Sequence, residues 1–270
     1  TRILHRHGLI SAEESAKRTK YQFFERDAPN ELWQMDFKGE FLMTNGLYCY
    51  PLTILDDHSR YLVGMRACEN EQYETVKREL TVVFREYGLP DAMLMDNGPP
   101  WGVTSGGRFT ILGVWLLRLG VYTIHGRKYH PQTQGKVERV HRTMDEELIS
   151  QRTFDALGPT QQVFDQWRPQ YNDERPHRSL SLDVPADRYL PSERAFPEQL
   201  PAIDYGDAEI RKVDAAGKFY YRNIVFYLGK GFRGEYVAIQ HIEADGVFYV
   251  VYVTQKVAVC NANTRSCDRL

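Results

Sequence analysis

The sequence predicts an α/β fold built on a mixed sheet and followed by a small all-β unit, and three observations carry that expectation. Residues 31–67 alternate in the manner of strands, strand-like and helical stretches then take turns to about residue 150, and from Glu209 onward only short alternating strands remain. The 270 residues, 42% hydrophobic and 26% charged, suffice for one large or two modest cores and exclude wholesale disorder. The longest apolar run, Val247 to Val253, is far short of a membrane helix, so no membrane partner is expected.

The elements follow in order. Ser11 with Glu14 forms a capping box that starts a short helix to about Lys20. From Glu31 a strand places Trp33, Met35 and Phe37 on one face and Gln34, Asp36 and Lys38 on the other. Tyr48 to Leu55 and Tyr61 to Ala67 are further strands around the turn Asp56-Asp57-His58-Ser59-Arg60, which gives three antiparallel strands. Val76, Leu80, Val83, Phe84 and Tyr87 fall at helical spacing and end at Gly88 and Pro90. The strand Ala92 to Met95 runs into Asp96-Asn97-Gly98, which puts a carboxylate at a strand's C-terminal end. After a Gly/Pro-rich loop, Phe109 to Leu119 reads as a helix closed by Gly120, and Val121 to Ile124 as a strand. A helix from about Gln134 to Ser150 buries Val137, Val140, Met144 and Leu148, and another carries Val163, Phe164, Trp167 and Tyr171. The Pro/Arg-rich stretch Arg175 to Pro201 reads as a linker that isolates two cores.

The overall charge of −2 conceals strong segregation. Between His125 and Arg142, five basic residues face Glu138 alone; between Arg211 and Tyr236, six basic residues face Asp214 and Glu235, interleaved with Phe219, Tyr220, Tyr221, Phe226, Tyr227 and Phe232. Basic and aromatic side chains in this mixture grip phosphate and stack on bases, the alternative being a solvated face over an ordinary barrel core. The four cysteines form no C-x-x-C pair and have no nearby paired histidines, so neither a disulfide framework nor a zinc knuckle is expected and a reducing cytoplasm fits. Thr1 opens the chain without an initiator methionine or a secretory segment, as in a fragment of a longer chain.

Three carboxylates stand where a mixed sheet brings them together: Asp36 mid-strand, Asp96 after a strand, and Glu138 on a helix behind a basic loop. Phosphodiester chemistry uses such a cluster to hold two divalent cations roughly 4 Å apart, and hard oxygen ligands select magnesium or manganese. Any one of them by itself is more simply a solvated or capping carboxylate.

The local motifs decide the matter. Leu32-Trp33-Gln34-Met35-Asp36-Phe37, Asp56-Asp57-His58-Ser59-Arg60, Met95-Asp96-Asn97-Gly98 and His130-Pro131-Gln132-Thr133-Gln134-Gly135-Lys136-Val137-Glu138-Arg139 occur in the order of retroviral integrase and insertion-sequence transposase cores. The chain resembles a bacterial D,D,E transposase of that superfamily over roughly residues 30–190, and Tyr171-Asn172-Asp173-Glu174-Arg175-Pro176-His177-Arg178-Ser179-Leu180 is similar to the stretch that follows the core in many bacterial members. Two departures stand out. Forty-one residues separate Asp96 from Glu138, more than is commonest in the family, which fits an enlarged loop around Trp101 to Gly107. The histidine-cysteine zinc module that precedes retroviral cores is missing, since His5 and His7 have no cysteine partners nearby.

The resemblance implies an RNase H-like mixed five-stranded sheet at 30–190, a linker at 191–208 and a Src-homology-3-like, DNA-binding barrel at 209–270, preceded at 1–29 by a lead-in whose Thr1 to Ile10 is a candidate remnant of a helix-turn-helix. It implies metal-dependent transposon-end cleavage and strand transfer at Asp36, Asp96 and Glu138, with two Mg2+ or Mn2+ ions, Asp36 bridging them. Lys128, His130, Gln134, Lys136, Arg139, Arg142, Arg222, Lys230 and Arg233 are the expected DNA contacts, with plain surface charge as the alternative for Lys136 or Arg139. Asn97, Asp56 and Asp57 read as turn formers, the two aspartates with a supporting role at the site as the alternative, and His177 reads as structural. The expected partners are transposon-end and target DNA and further copies of the chain, as a dimer or higher oligomer on paired ends, in the nucleoid-associated bacterial cytoplasm. Two other readings share these residues: an RNase H-like nuclease that does not join ends, and a silent DNA-binding protein with the same fold.

Overall fold

In a computed structural model the described residues are 25–96, 98, 100–101, 109–125 and 135–270. The expected N-terminal helix, Asn97, most of the enlarged loop, and Lys128, His130 and Gln134 lie outside them.

The central sheet forms from β1 (Leu32–Phe37), β2 (Phe41–Leu42), β3 (Tyr48–Asp56), β4 (Leu62–Cys68), β5 (Ala92–Met95) and β6 (Tyr122–His125). β1 pairs antiparallel with β3, and β3 with β4, as the hairpin reading required. β5 then joins β1 in parallel and β6 joins β5 in parallel, so the sheet is mixed. The short β2 extends the β1 side of the hairpin by pairing Phe41 with Cys49. Alternation along β1 does what the sequence dictates: Trp33 and Met35 enter a core with α1 (Tyr73–Tyr87) and α2 (Ile111–Arg118), while Gln34 and Asp36 face away from it.

The other face is covered by α3 (Gly135–Met144) and α4 (Leu157–Pro169), each continued by one π-type turn, over a core of Leu55, Leu62, Met65, Val137, Val140, Met144, Phe164 and Trp167. α4 also shields the β4 edge, because Gln161 bonds Ala67 N and Met65 O, Arg168 donates to Val63 O, and Asn172 takes both backbone groups of Leu62. That accounts structurally for Asn172 in the post-core motif. His177 packs edge-on against the Tyr171 ring at 5.0 Å, in keeping with its structural reading.

The C-terminal unit is entirely antiparallel: β7 (Glu209–Lys212), β10 (Tyr236–His241), β11 (Val247–Tyr252), β12 (Gln255–Asn261) and β13 (Ser266–Arg269) make one sheet, and β8 (Lys218–Tyr221) with β9 (Ile224–Tyr227) a second.

Three expectations are corrected. The stretch read as a linker is bound to the core: Tyr189 stacks on Tyr61 at 4.2 Å, Ser192 N donates to Tyr87 O, and the Arg194 guanidinium donates to Leu119 O and Gly120 O. Its proline and arginine content resembles a spacer, yet Arg194 satisfies the carbonyls just after α2. Gly88, at φ 77°, admits this segment, since a Cβ there would lie 2.6 Å from Ser192 O. The two cores are not isolated either. Phe109, Val114 and Leu117, at and on α2, share one apolar cluster with Phe232, Val237 and Tyr252. Finally, Cys260 and Cys267 form a disulfide across β12 and β13, whose register places them opposite each other. Their separation of seven residues carries no motif. Cys49 and Cys68 are free and buried.

Candidate active site

Asp36 arrives on β1, Asp96 directly after β5, and Glu138 in the first turn of α3. β1 and β5 are parallel neighbours, so the first two carboxylates leave adjacent strands near the same end of the sheet. Asp36 is pushed up from 3.8 to about 7, first by burial and then by the charges of Asp96, Glu138 and Glu71; the Phe37 backbone partly opposes this. The three predicted acids therefore belong to one electrostatic cluster. Asp96 shapes its own turn, its Oδ1 accepting from Gly98 N at 2.9 Å, and its carbonyl accepts from His125 Nδ1 at 3.0 Å. Glu138 is exposed.

Two acids were not foreseen. Glu71, in the turn before α1, is raised by burial and by Glu40 and Asp96, so the acidic face extends beyond the triad. Neither residue sits in a motif, and only the folded topology brings Glu71 under the influence of Glu40 and Asp96. Among the described residues no three His, Cys, Asp or Glu side chains enclose a metal position. The donor set still fits a hard divalent cation: it is all carboxylate, open on the Glu138 side, and centred on a half-buried acid that its neighbours repel.

The polar side of β1 is also tied to α3. Lys136 donates to buried Asp57 at 2.6 Å and to its carbonyl at 3.0 Å, and burial lowers the lysine's pKa although Asp57 opposes this. With its side chain 16% exposed, Lys136 is committed to that ion pair, which corrects the expectation that it grips phosphate. Asp57 also accepts from Gln34 Nε2 and Arg26 N, while Asp56 caps its turn through Ser59 and Asn30, so the turn-forming reading holds for Asp56 and Asp57 anchors the start of α3. Further along, Lys38 pairs with Asp145 at 2.6 Å. Between them His141 lies 2.7 Å from the Thr53 hydroxyl, its pKa lowered to about 4 by burial and by Lys38, so the imidazole is neutral at pH 7.

Trp101 holds the chain beyond Asp96. It is buried, stacks on Phe37 at 5.4 Å, and its carbonyl accepts from Thr110, the residue that also caps α2 at Gly113 N. Of the expected DNA contacts within the described residues, Arg139, Arg142, Arg222, Lys230 and Arg233 are exposed. On the β8–β9 face the pairs Lys218–Tyr227 and Tyr220–Val225 present exposed basic and aromatic side chains beside Arg222, whose guanidinium lies 5.3 Å from the Tyr221 ring.

A mixed sheet with antiparallel β4-β3-β1, parallel β5 and β6, and acids at β1, β5 and a flanking helix defines the RNase H-like class. Two models described as integrase core domain match residues 26–131 and 119–185, and one described as the IS481 family transposase C-terminal domain matches 208–268. The chain belongs to the integrase-core superfamily and carries an insertion-sequence transposase C-terminal domain. It is similar to the 31.7 kDa protein of insertion element IS407 from Burkholderia multivorans, 29% identical over 59% of this chain and 55% of that one. It is also similar to the 39.2 kDa protein of insertion element IS476 from Xanthomonas euvesicatoria, 30% identical over 58% of this chain and 44% of the relative. The chain thus spans about half the length of these relatives. A chain of the simian T-cell lymphotropic virus intasome in complex with PP2A regulatory subunit B56 gamma shares the fold, with a TM-score of 0.53 at 13% identity, covering 97% of this chain and 94% of that one.

Proposed function

We propose that the protein is a transposase of the D,D,E kind that cuts transposon-end DNA and joins the freed end to target DNA. The observation that carries this reading is the electrostatic coupling of half-buried Asp36 to Asp96 and Glu138, delivered from three separate elements of an integrase-type core. Asp36, Asp96 and Glu138 would hold Mg2+ or Mn2+, two ions per site with Asp36 shared and each of the others completing one position. Bound there, the ions would activate the attacking oxygen and stabilise the leaving one.

In the first step water attacks the phosphorus at the transposon end, and the broken P–O bond leaves a 3′-hydroxyl and a 5′-phosphate. In the second that hydroxyl oxygen attacks a target phosphodiester, forming one P–O bond and releasing the target's own 3′-oxygen, which takes up the proton. Neither step needs a covalent link to the protein. Arg139 and Arg142, exposed on the helix that bears Glu138, would hold phosphates near the acids, and Lys128, His130 and Gln134, which precede that helix in sequence, would join them. Arg222, Lys230 and Arg233, exposed on the C-terminal unit, would make sequence-independent backbone contacts. The DNA lies in the bacterial cytoplasm, and a dimer or larger assembly on two ends would supply two triads, because each chain carries one.

The test is an assay with candidate transposon-end DNA and Mn2+, scored separately for nicking and joining. Asp36→Asn, Asp96→Asn and Glu138→Gln should each abolish both products without unfolding the chain. Near-wild-type activity in any of them removes that residue from the site, and nicking without joining by the intact chain would make it a nuclease instead. Mixing Glu138→Gln chains into wild type should depress paired-end joining more steeply than the inactive fraction; a strictly proportional loss would refute the paired assembly.

A further inference from the structure

α3 lies against the sheet through the apolar stripe Val137, Val140 and Met144, while Glu138, His141 and Asp145 follow at helical spacing along one border of that stripe. An apolar stripe by itself fixes a helix's register on a sheet weakly, because dispersion contacts are non-directional. The directional contact nearest Glu138 on this border is a hydrogen-bond chain. Thr53 sits opposite Asp36 in the β1–β3 register, is fully buried, and donates its hydroxyl proton to Asp36 O at 3.1 Å. His141 Nε2 lies 2.7 Å from the same oxygen. With the single hydroxyl proton assigned to that carbonyl, the second bond runs from Nε2–H of the imidazole to Thr53 Oγ1. Lys38–Asp145, the next link along, has its carboxylate 48% exposed and holds the helix less firmly.

We propose that His141 is a positioning residue: through Thr53 it couples the helix that carries Glu138 to the backbone of the strand that carries Asp36, and so sets the separation at which the acidic cluster takes up a divalent cation. The inference rests on the triad reading above and adds to it a residue that touches neither DNA nor metal. Losing such support around a metal site costs about 10-fold to 100-fold in metal affinity. The chain also makes a prediction that packing alone does not, since two links of one chain are lost together when either is cut, and their effects should not add.

The experiment is a calorimetric titration of the whole protein with Mn2+, without DNA, for wild type, His141→Phe, His141→Gln, Thr53→Val, the Phe/Val double variant and Asp36→Asn, each first shown to be folded by its melting curve. His141→Phe and Thr53→Val should each weaken Mn2+ binding by about tenfold or more. The double variant should bind no more weakly than the worse single variant, and His141→Gln, which keeps an N–H donor, should recover most of the affinity. Should the phenylalanine variant fail to fold, the nearly isosteric Thr53→Val carries the test. Wild-type affinity in Thr53→Val and His141→Phe while Asp36→Asn binds no metal would overturn the inference and leave the triad standing, as would additive losses. Wild-type affinity in Asp36→Asn would overturn both.

Discussion

Asp36→Asn should stabilise the metal-free protein at pH 8, the reverse of what most substitutions do. Burial and the neighbouring carboxylates hold the Asp36 carboxyl at about 7 instead of 3.8. The folded protein therefore keeps a proton that the unfolded chain releases, and the stability tied to that proton is complete below about pH 4 and lost as pH rises through about 7. The shift corresponds to on the order of 4 kcal/mol between the two protonation states. Salt in an open cleft screens the part that comes from Asp96 and Glu138, so about 2 kcal/mol is a working figure, or roughly 4–8 °C in melting temperature. Wild type and variant would be melted in chelator at about pH 4 and pH 8. At about pH 4, where the folded acid is protonated and the unfolded chain has only begun to release its proton, the two should nearly coincide; at pH 8 the variant should melt higher. Added Mg2+ should then raise wild type at pH 8 and leave the variant unmoved. An equal difference between the proteins at both pH values would refute the reasoning, because it would show that the charge on Asp36 is not what the fold resists.

Other substitutions separate the remaining roles. Lys136→Met should cost about 3–5 kcal/mol in urea unfolding, because it strands the buried Asp57 charge, and should leave the salt dependence of DNA binding unchanged; a flatter salt slope would restore Lys136 as a phosphate contact. Gly231→Val should separate the C-terminal unit from the core, since even a Cβ there would lie 2.5 Å from Phe109 O; calorimetry should show one transition split into two, and a single unshifted transition would contradict a shared apolar cluster. Replacing Arg222, Lys230 and Arg233 together by alanine should lower DNA affinity and flatten the log affinity against log salt slope by about 2–3; an unchanged slope would move DNA binding off this face.

What the sequence makes legible here is what local periodicity controls. Alternation along residues 32–37 separates the core-facing Trp33 and Met35 from Asp36, and the break after Met95 places Asp96 at a strand end, because a strand's two faces and its termination are encoded by adjacent residues. The partners of those residues are not local. Lys136 reads as a phosphate contact beside Glu138 until Asp57, 79 positions away, proves to be its ion partner. Glu71 is one exposed acid among many until the fold brings it under the influence of Asp96. Tyr189 and Arg194 sit in a segment whose composition says spacer, yet their side chains satisfy a ring face and helix-end carbonyls that exist only once α1 and α2 have formed. Cys260 and Cys267 are brought opposite each other by strand register, which no spacing rule for cysteines encodes.

Under the proposed transposase reading, α3 also suggests how a chain with a net charge of −2 would work on a polyanion. α3 buries Val137, Val140 and Met144, turns Glu138 toward the acidic side of β1, and leaves Arg139 and Arg142 exposed, so opposite charges meet within two turns of one helix. A phosphate approaching the arginines comes within range of Asp36, Asp96, Glu138 and Glu71, a repulsion that grows as water is displaced from the cleft. On the same reading, basic residues farther away on the C-terminal unit would raise the local DNA concentration but would not cancel that field, because their influence decays within about 8 Å at physiological salt. A divalent cation at the acids reverses the sign of the nearest charge. On this reasoning metal and DNA bind the core cooperatively, and each should tighten the other by the same factor. The C-terminal unit, with its own exposed cations, should hold DNA almost equally well in chelator.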